Sequence, residues 1–170
     1  MVKNPHKYHK NADSYIEMYC KAGCDRIALH ERSFKDLNEL KVAINLIKKN
    51  GAKPGIVIET SRAIDNRLIN FLTNNSIDWV VVMGVVIGYG GQIFNNNIFN
   101  KIKTLKSHFL NIKKPLLIEV DGGLNDDNIG MCIESGAEIL SGWSIVKDTT
   151  LERILSKVKT VIKICNNEKI

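Results

Sequence analysis

Five times along the chain a short apolar run gives way to a longer segment whose apolar residues recur every three or four positions. The runs are 25–30, 56–58, 79–83, 116–120 and 139–140, and each reads as a strand because it is apolar and bounded by Gly, Pro or polar clusters. The segments after them read as helices over about 33–50, 62–74, 97–110, 126–135 and 150–165, with one more helix at 11–22 ahead of the first strand. Ser33 is expected to cap the first of these, Gly51 to stop it, and Leu37, Leu40, Ile44 and Ile47 to share its buried face. The stretch Thr149-Thr150-Leu151-Glu152 has the form of a capping box for the last. Strands apolar throughout, alternating with amphipathic helices, predict an α/β fold with a parallel sheet covered by helices.

A chain of 170 residues with 44% hydrophobic and 25% charged residues can bury one sizeable core, so a single domain over 1–170 is expected. The net charge of +6 is mild. Lys48, Lys49, Lys101, Lys103 and Lys106 are spread along helices as a solvated face. No basic stripe interleaved with aromatics points to nucleic acid. Cys20, Cys24, Cys132 and Cys165 lack paired zinc spacing and read as reduced, mostly buried thiols. No segment has the length of a membrane span, and the start lacks a signal-peptide core, so the cytoplasm is the expected location.

Polar residues collect at one end of every strand: His30-Glu31, Glu59-Thr60, Gly84, Asp121 and Ser141-Gly142. In a parallel α/β fold these positions share a face, the one that carries ligands in TIM barrels and in open doubly wound sheets alike. The most informative of them is Ile118-Glu119-Val120-Asp121-Gly122-Gly123. A carboxylate at the mouth of a buried strand is costly unless it is hydrogen-bonded, paired or ligated, and two following glycines let the backbone approach a ligand closely. A second cluster, Gly88-Tyr89-Gly90-Gly91-Gln92, follows the preceding strand. The plain alternatives are a helix cap near Asn125 for Asp121 and a flexible turn for the glycines.

Val82-Met83-Gly84-Val85, Gly88-Tyr89-Gly90-Gly91-Gln92-Ile93-Phe94 and Ile118 to Gly123, in that order and spacing, resemble the ribulose-phosphate 3-epimerase family. Gly136-Ala137-Glu138, Ser141-Gly142 and His30-Glu31 fit less tightly. The resemblance implies a (β/α)8 TIM-barrel fold, here an incomplete barrel with about five complete parallel strands, since the family barrel begins with three strands whose last segment aligns its end with Met1-Val2. It implies a role in carbohydrate metabolism and the pentose phosphate pathway, with D-ribulose 5-phosphate and D-xylulose 5-phosphate interconverted by two acids around a divalent metal ion (zinc, iron or manganese). Asp121 matches one of the two acids and a metal ligand. Gly88, Tyr89, Gly90, Gly91, Gly122, Gly123, Gly142 and Trp143 match the segments that bind substrate, chiefly its phosphate.

The other acid and three metal ligands fall on the strands this chain lacks, so the metal site is expected to be incomplete and the isolated chain inactive or impaired. The chain also departs from the family pattern: Ile87 stands for a proline, Gly84 for a common threonine, Trp143 for a small serine and Glu59-Thr60-Ser61 for an Asn-Pro-type segment. These departures motivate two alternatives, a hexulose-phosphate 3-epimerase relative and a non-catalytic phosphosugar-binding degenerate barrel. The expected partner is a small phosphosugar, with room for a homo-oligomer.

Overall fold

A computed structural model of the chain describes residues 12–142 and 150–165. The elements run α1 (Ala12–Lys21), β1 (Arg26–His30), a short 3-10 turn (Glu31–Ser33), α2 (Leu37–Lys49), β2 (Lys53–Ile58), α3 (Asn66–Asn74), β3 (Trp79–Met83), α4 (Ile98–Asn111), β4 (Leu117–Asp121), α5 (Ile129–Ser135), β5 (Ile139–Ser141) and α6 (Leu151–Cys165). The alternation expected from the apolar pattern is therefore present in full. The five strands form one sheet in sequence order, β1-β2-β3-β4-β5, so β1 and β5 are its edges. Parallel pairing sets Arg26 beside Lys53 and His30 beside Val57, and Glu119 beside Ile139 and Asp121 beside Ser141. The sheet is open. Thr149, Trp143, Met1, His6 and His9 lie outside the described residues.

The chain divides into two compact units, Met1–Ile58 with Ile64–Val81, and Glu59–Ala63 with Val82–Ile170. In the first, α2 turns Leu40, Ala43, Ile44 and Ile47 inward, each at most 2% exposed. Its cap differs from expectation. Ser33 closes the 3-10 turn, and Asp36, extended at φ −155°, accepts the Asn38 and Glu39 N–H groups instead. A carboxylate two or three residues ahead of otherwise orphaned donors satisfies them at short reach. Asp65 does the same for Leu68, so α3 begins at Asn66 rather than 62. Gly55 lies under the Trp79 ring, where an added Cβ would come within 2.3 Å of a ring carbon. The Arg26 guanidinium sits 5.6 Å from the centre of that ring.

In the second unit, α4 buries Ile98, Ile102, Leu105 and Phe109, none more than 2% exposed, as their spacing predicts. Ile118 and Val120 of β4 are fully buried, and Cys132 of α5 is buried with them. Among Cys20, Cys24 and Cys132, the expectation of a buried thiol holds only for Cys132, since Cys20 is half-buried and Cys24 exposed. Burial pushes the Cys132 thiol up to about 12, because the thiolate loses its solvation there. Helix α5 packs against both α4 and α6.

Candidate functional site

The strand ends and loops that surround Asp121 belong to the second unit. Alternation along β4 decides which side chains are available: Ile118 and Val120 are buried, while Leu117, Glu119 and Asp121 project to the other face and are half-buried. Asp121 is the last residue of the strand. Its carbonyl accepts the Gly84 N–H at 2.7 Å, and the Gly122 N–H donates to the Ser141 carbonyl at 3.0 Å. Backbone hydrogen bonds thus join the ends of β3, β4 and β5 around one carboxylate.

The glycines here are required twice over. Gly122 and Gly123 hold φ of 90° and 68°, which disfavours any side chain. A Cβ on either would also lie 2.7 Å from a methyl carbon of Val85. Gly84 shows no such φ, but a Cβ there would fall 2.2 Å from the Gly122 carbonyl oxygen and 2.7 Å from the Phe94 ring. Where the family resemblance makes threonine common, this geometry leaves no room for one.

The capping alternative for Asp121 finds no support. The turn leading into α5 is organised by Asn125, whose Oδ1 accepts the Asp127 and Asn128 N–H groups. Asn128, 4% exposed, accepts the Asn125 N–H and donates to the Gly123 carbonyl at 3.1 Å. The Gly122 N–H, which bonds the Ser141 carbonyl, also lies near the Asp121 carboxylate and favours its charged form. Burial outweighs this and raises the carboxyl above its ordinary value of 3.8. A carboxyl so placed gives up its proton less readily than a solvated one, a property suited to moving protons at a reacting carbon.

Between β3 and α4 the glycine loop is fixed at two levels. The Gly84 carbonyl accepts the Asn95 N–H at 2.8 Å and closes its base. Within it, the Gln92 carboxamide donates to the Val86 carbonyl at 2.5 Å and the Tyr89 carbonyl at 2.7 Å. Gly88 and Gly91 have φ of 132° and 78°. A Cβ at Gly88, Gly90 or Gly91 would meet nothing within 4 Å, so the loop presents backbone to open space. Tyr89 is largely exposed. Gly142, half-exposed, follows β5 directly beyond the Ser141 that bonds Gly122.

One contributor was hidden from sequence reasoning. Lys101, expected on a solvated face, donates from Nζ to the carbonyls of Glu59 at 3.0 Å, Thr60 at 2.7 Å and Arg62 at 2.7 Å. It ties the loop after β2 to α4. Desolvation, with the nearby Arg62 charge, lowers its pKa. Lys48 likewise donates to the Asn75 carbonyl, and Lys106 pairs with Glu138. Backbone acceptors some 40 residues away carry no residue signature, so no pattern could have shown the Lys101 contacts.

Among the described residues no three His, Cys, Asp or Glu side chains come together to hold a metal ion. Asp121 offers a single carboxylate, which does not fit a dedicated divalent site.

Residues 3–146 match the model of the Ribulose-phosphate 3 epimerase family. The chain is 32% identical over 156 residues to ribulose-phosphate 3-epimerase of Bacillus subtilis, covering 91% of this chain and 69% of that protein. The enzyme of the same name from Candida glabrata is 29% identical over 164 residues, covering 96% and 60%. That of Chlamydia pneumoniae is 35% identical over 132 residues, covering 76% and 55%. The chain thus spans between 55% and 69% of the length of these relatives. Among solved structures, 3-keto-L-gulonate-6-phosphate decarboxylase from Vibrio cholerae superposes with a TM-score of 0.64 at 10% identity, over 91% of this chain and 69% of that one. Orotidine 5'-monophosphate decarboxylase from Sulfolobus solfataricus gives 0.62 at 18% identity, over 91% and 66%. At such identities the likeness concerns the fold alone, and the neighbours are TIM-barrel enzymes.

Proposed function

The chain belongs to the ribulose-phosphate 3-epimerase family, and on that premise we propose that it forms one domain, the C-terminal two-thirds of a ribulose-phosphate-binding barrel. In the completed barrel the reaction is the interconversion of D-ribulose 5-phosphate and D-xylulose 5-phosphate. The observation that carries this reading is the half-buried Asp121 carboxyl, raised by desolvation and set among the glycines of three adjoining strand ends. Asp121 is the proton carrier on one face of carbon 3. In its charged form it takes the proton beside the carbonyl, and in its protonated form it returns one. Inversion needs a second acid on the opposite face, which the family resemblance matches to no residue of this chain.

Backbone N–H groups of the Gly88–Gly91 loop, with Gly123 and Gly142, hold the phosphate, the kind of concave donor array that anions favour, while Gly122, whose own N–H bonds the Ser141 carbonyl, lets the backbone come close. The family resemblance adds Tyr89 and Trp143 to the substrate-binding segments. The donor set around Asp121 does not fit a metal ion by itself, so no step is assigned to one. The reading carries with it a cytoplasmic setting, and no helix among the described residues is long and apolar enough to cross a membrane.

The test is turnover and binding by the chain alone. With ribulose 5-phosphate and added zinc, iron or manganese, little or no epimerisation is expected, while calorimetry detects phosphosugar binding that weakens in Gly91→Val. Robust turnover lost in Asp121→Asn would overturn the partial-site reading. Absence of any binding to ribulose 5-phosphate or inorganic phosphate would overturn the phosphate assignment. That no three His, Cys, Asp or Glu side chains of the described residues come together favours one second reading, a phosphosugar-binding barrel without catalysis. It predicts binding that Asp121→Asn leaves unchanged.

A further inference from the structure

The loop between β3 and α4 is closed at its base by the Asn95 N–H on the Gly84 carbonyl, 2.8 Å apart. Closure therefore does not call for Gln92. Yet the Gln92 carboxamide reaches back into the loop and engages both donors of its nitrogen there, with the Val86 carbonyl at 2.5 Å and the Tyr89 carbonyl at 2.7 Å. Two residues further on, Phe94 stands against the turn that carries Asp121. A Cβ on Gly123 would lie 3.3 Å from the Phe94 Cα, and one on Gly84 2.7 Å from its ring. The stapled segment is thereby anchored to the Asp121 turn.

What the two bonds do follows from peptide geometry. The described residues contain no cis peptide bond, and in a planar trans unit the carbonyl of one residue and the N–H of the next point in opposite directions. Drawing the Val86 and Tyr89 carbonyls toward Gln92 therefore turns the Ile87 and Gly90 N–H groups away from it. Neither N–H has an acceptor among the described residues. Gly88, Tyr89 and Gly90 are exposed, and a Cβ on Gly90 would meet nothing within 4 Å, so the space around this unit is open. The Tyr89–Gly90 unit is also prone to flip, because a glycine on its far side accepts dihedral angles of either sign. Flipped, it would aim a carbonyl oxygen outward, which repels an anion. Held by Gln92, it aims a donor.

We propose that Gln92 is a positioning residue for anion binding: its carboxamide locks the Val86–Ile87 and Tyr89–Gly90 peptide units with their N–H groups outward, as donors to a phosphate group. The inference rests on the phosphate reading above and deepens it. Gln92 does not itself donate to the anion, because both N–H groups of its carboxamide are engaged within the loop. Its contribution is preorganisation. A loop free to flip binds only through the fraction of its population that is correctly turned, and the apparent dissociation constant rises by the inverse of that fraction.

The experiment compares the whole chain with its Gln92→Leu and Gln92→Glu variants, using inorganic phosphate and, separately, ribulose 5-phosphate as probes. Leucine removes both donors, and an ionised glutamate also sets negative charge against the two carbonyls. Binding measured by calorimetry is expected to weaken about tenfold in Gln92→Leu, as a correctly turned fraction of about one in ten would give, and further in Gln92→Glu. Nuclear magnetic resonance supplies a readout that a general loss of stability would not move. The Overhauser effect between the Tyr89 Hα and the Gly90 amide proton depends on the Tyr89 ψ angle, so without ligand it should change in both variants while circular dichroism and melting temperature are kept. In the parent, the Ile87 and Gly90 amide protons should shift as phosphate is added. Equal affinity in the parent and both variants, or an unchanged Overhauser effect, overturns the positioning role and leaves the phosphate reading standing. A parent that binds neither probe overturns the phosphate reading and the role in anion binding with it.

Discussion

Replacing Gly84 with alanine isolates the contact on which the Asp121 turn depends. The backbone there does not require glycine for its φ, so the effect is one of space. The new Cβ would stand 2.2 Å from the Gly122 carbonyl oxygen and 2.7 Å from a Phe94 ring carbon. The ring can swing aside, but the carbonyl belongs to a turn held by the Gly122–Ser141 hydrogen bond. Relief therefore means moving β3 and β4 apart, which strains the Gly84–Asp121 bond of 2.7 Å. Overpacking of this kind costs about 1–3 kcal/mol, and a weakened hydrogen bond adds about 0.5–1.5. The expected loss is about 2–4 kcal/mol, or roughly 4–16 °C in melting temperature for a chain of this size. Gly90→Ala is the internal control, because its Cβ meets nothing within 4 Å and its φ is not positive. It should stay within about 0.5 kcal/mol of the parent, or gain slightly by stiffening the unfolded chain. Thermal melts and urea midpoints at unchanged m-value make the comparison. If Gly84→Ala melts within about 1 °C of Gly90→Ala, the reasoning is refuted.

The same geometry makes three more outcomes measurable. Because burial raises the Asp121 carboxyl in the fold, its contribution to stability is fully present below the unfolded value and is lost as pH rises through the folded one. Asp121→Asn should therefore melt above the parent at pH 7, with the gap closing below about pH 3.8; a parent that gains on the variant as pH rises would reverse the assigned sign. Lys101→Met strips three carbonyls of their shared donor and should cost about 1.5–3 kcal/mol, with faster exchange of the Arg62 amide that bonds Glu59. An unchanged rate at Arg62 would show that the lysine does not hold the loop. Iodoacetamide at pH 8 should label the exposed Cys24 readily and Cys132 slower by on the order of a thousandfold, and comparable rates would mean that the core around Cys132 opens.

Much of this was legible because strand and helix periodicities are local. The α4 face, Ile98 to Phe109, is buried as its spacing requires, and β3 begins and ends where its apolar run does. Boundaries failed where short side chains compete for backbone donors. Asp36 and Asp65, rather than Ser33 and Arg62, mark the helix starts, since each places a carboxylate within reach of the first N–H groups. Thr150, one residue beyond the expected Thr149, accepts the Arg153 N–H at the head of α6. The glycine pairs around Asp121 could be read as close-approach points, but not what they approach. Only the folded chain shows that Gly84 meets a carbonyl and Gly123 a valine.

The sequence by itself determined the order of elements, the parallel α/β class, the family and the position of one carboxylate at a strand end. All of these rest on patterns within a few residues or on motifs in fixed succession. The tertiary structure decided which neighbours exist. It turned Lys101 from a solvated charge into a staple for the loop after β2, and it raised the Asp121 carboxyl by burial. It also left Leu151, Leu155, Val158 and Ile162 of α6 exposed where the identically spaced Ile98, Ile102, Leu105 and Phe109 of α4 are covered. Periodicity tells which face of a helix is apolar; whether anything lies against that face depends on residues far away in the chain.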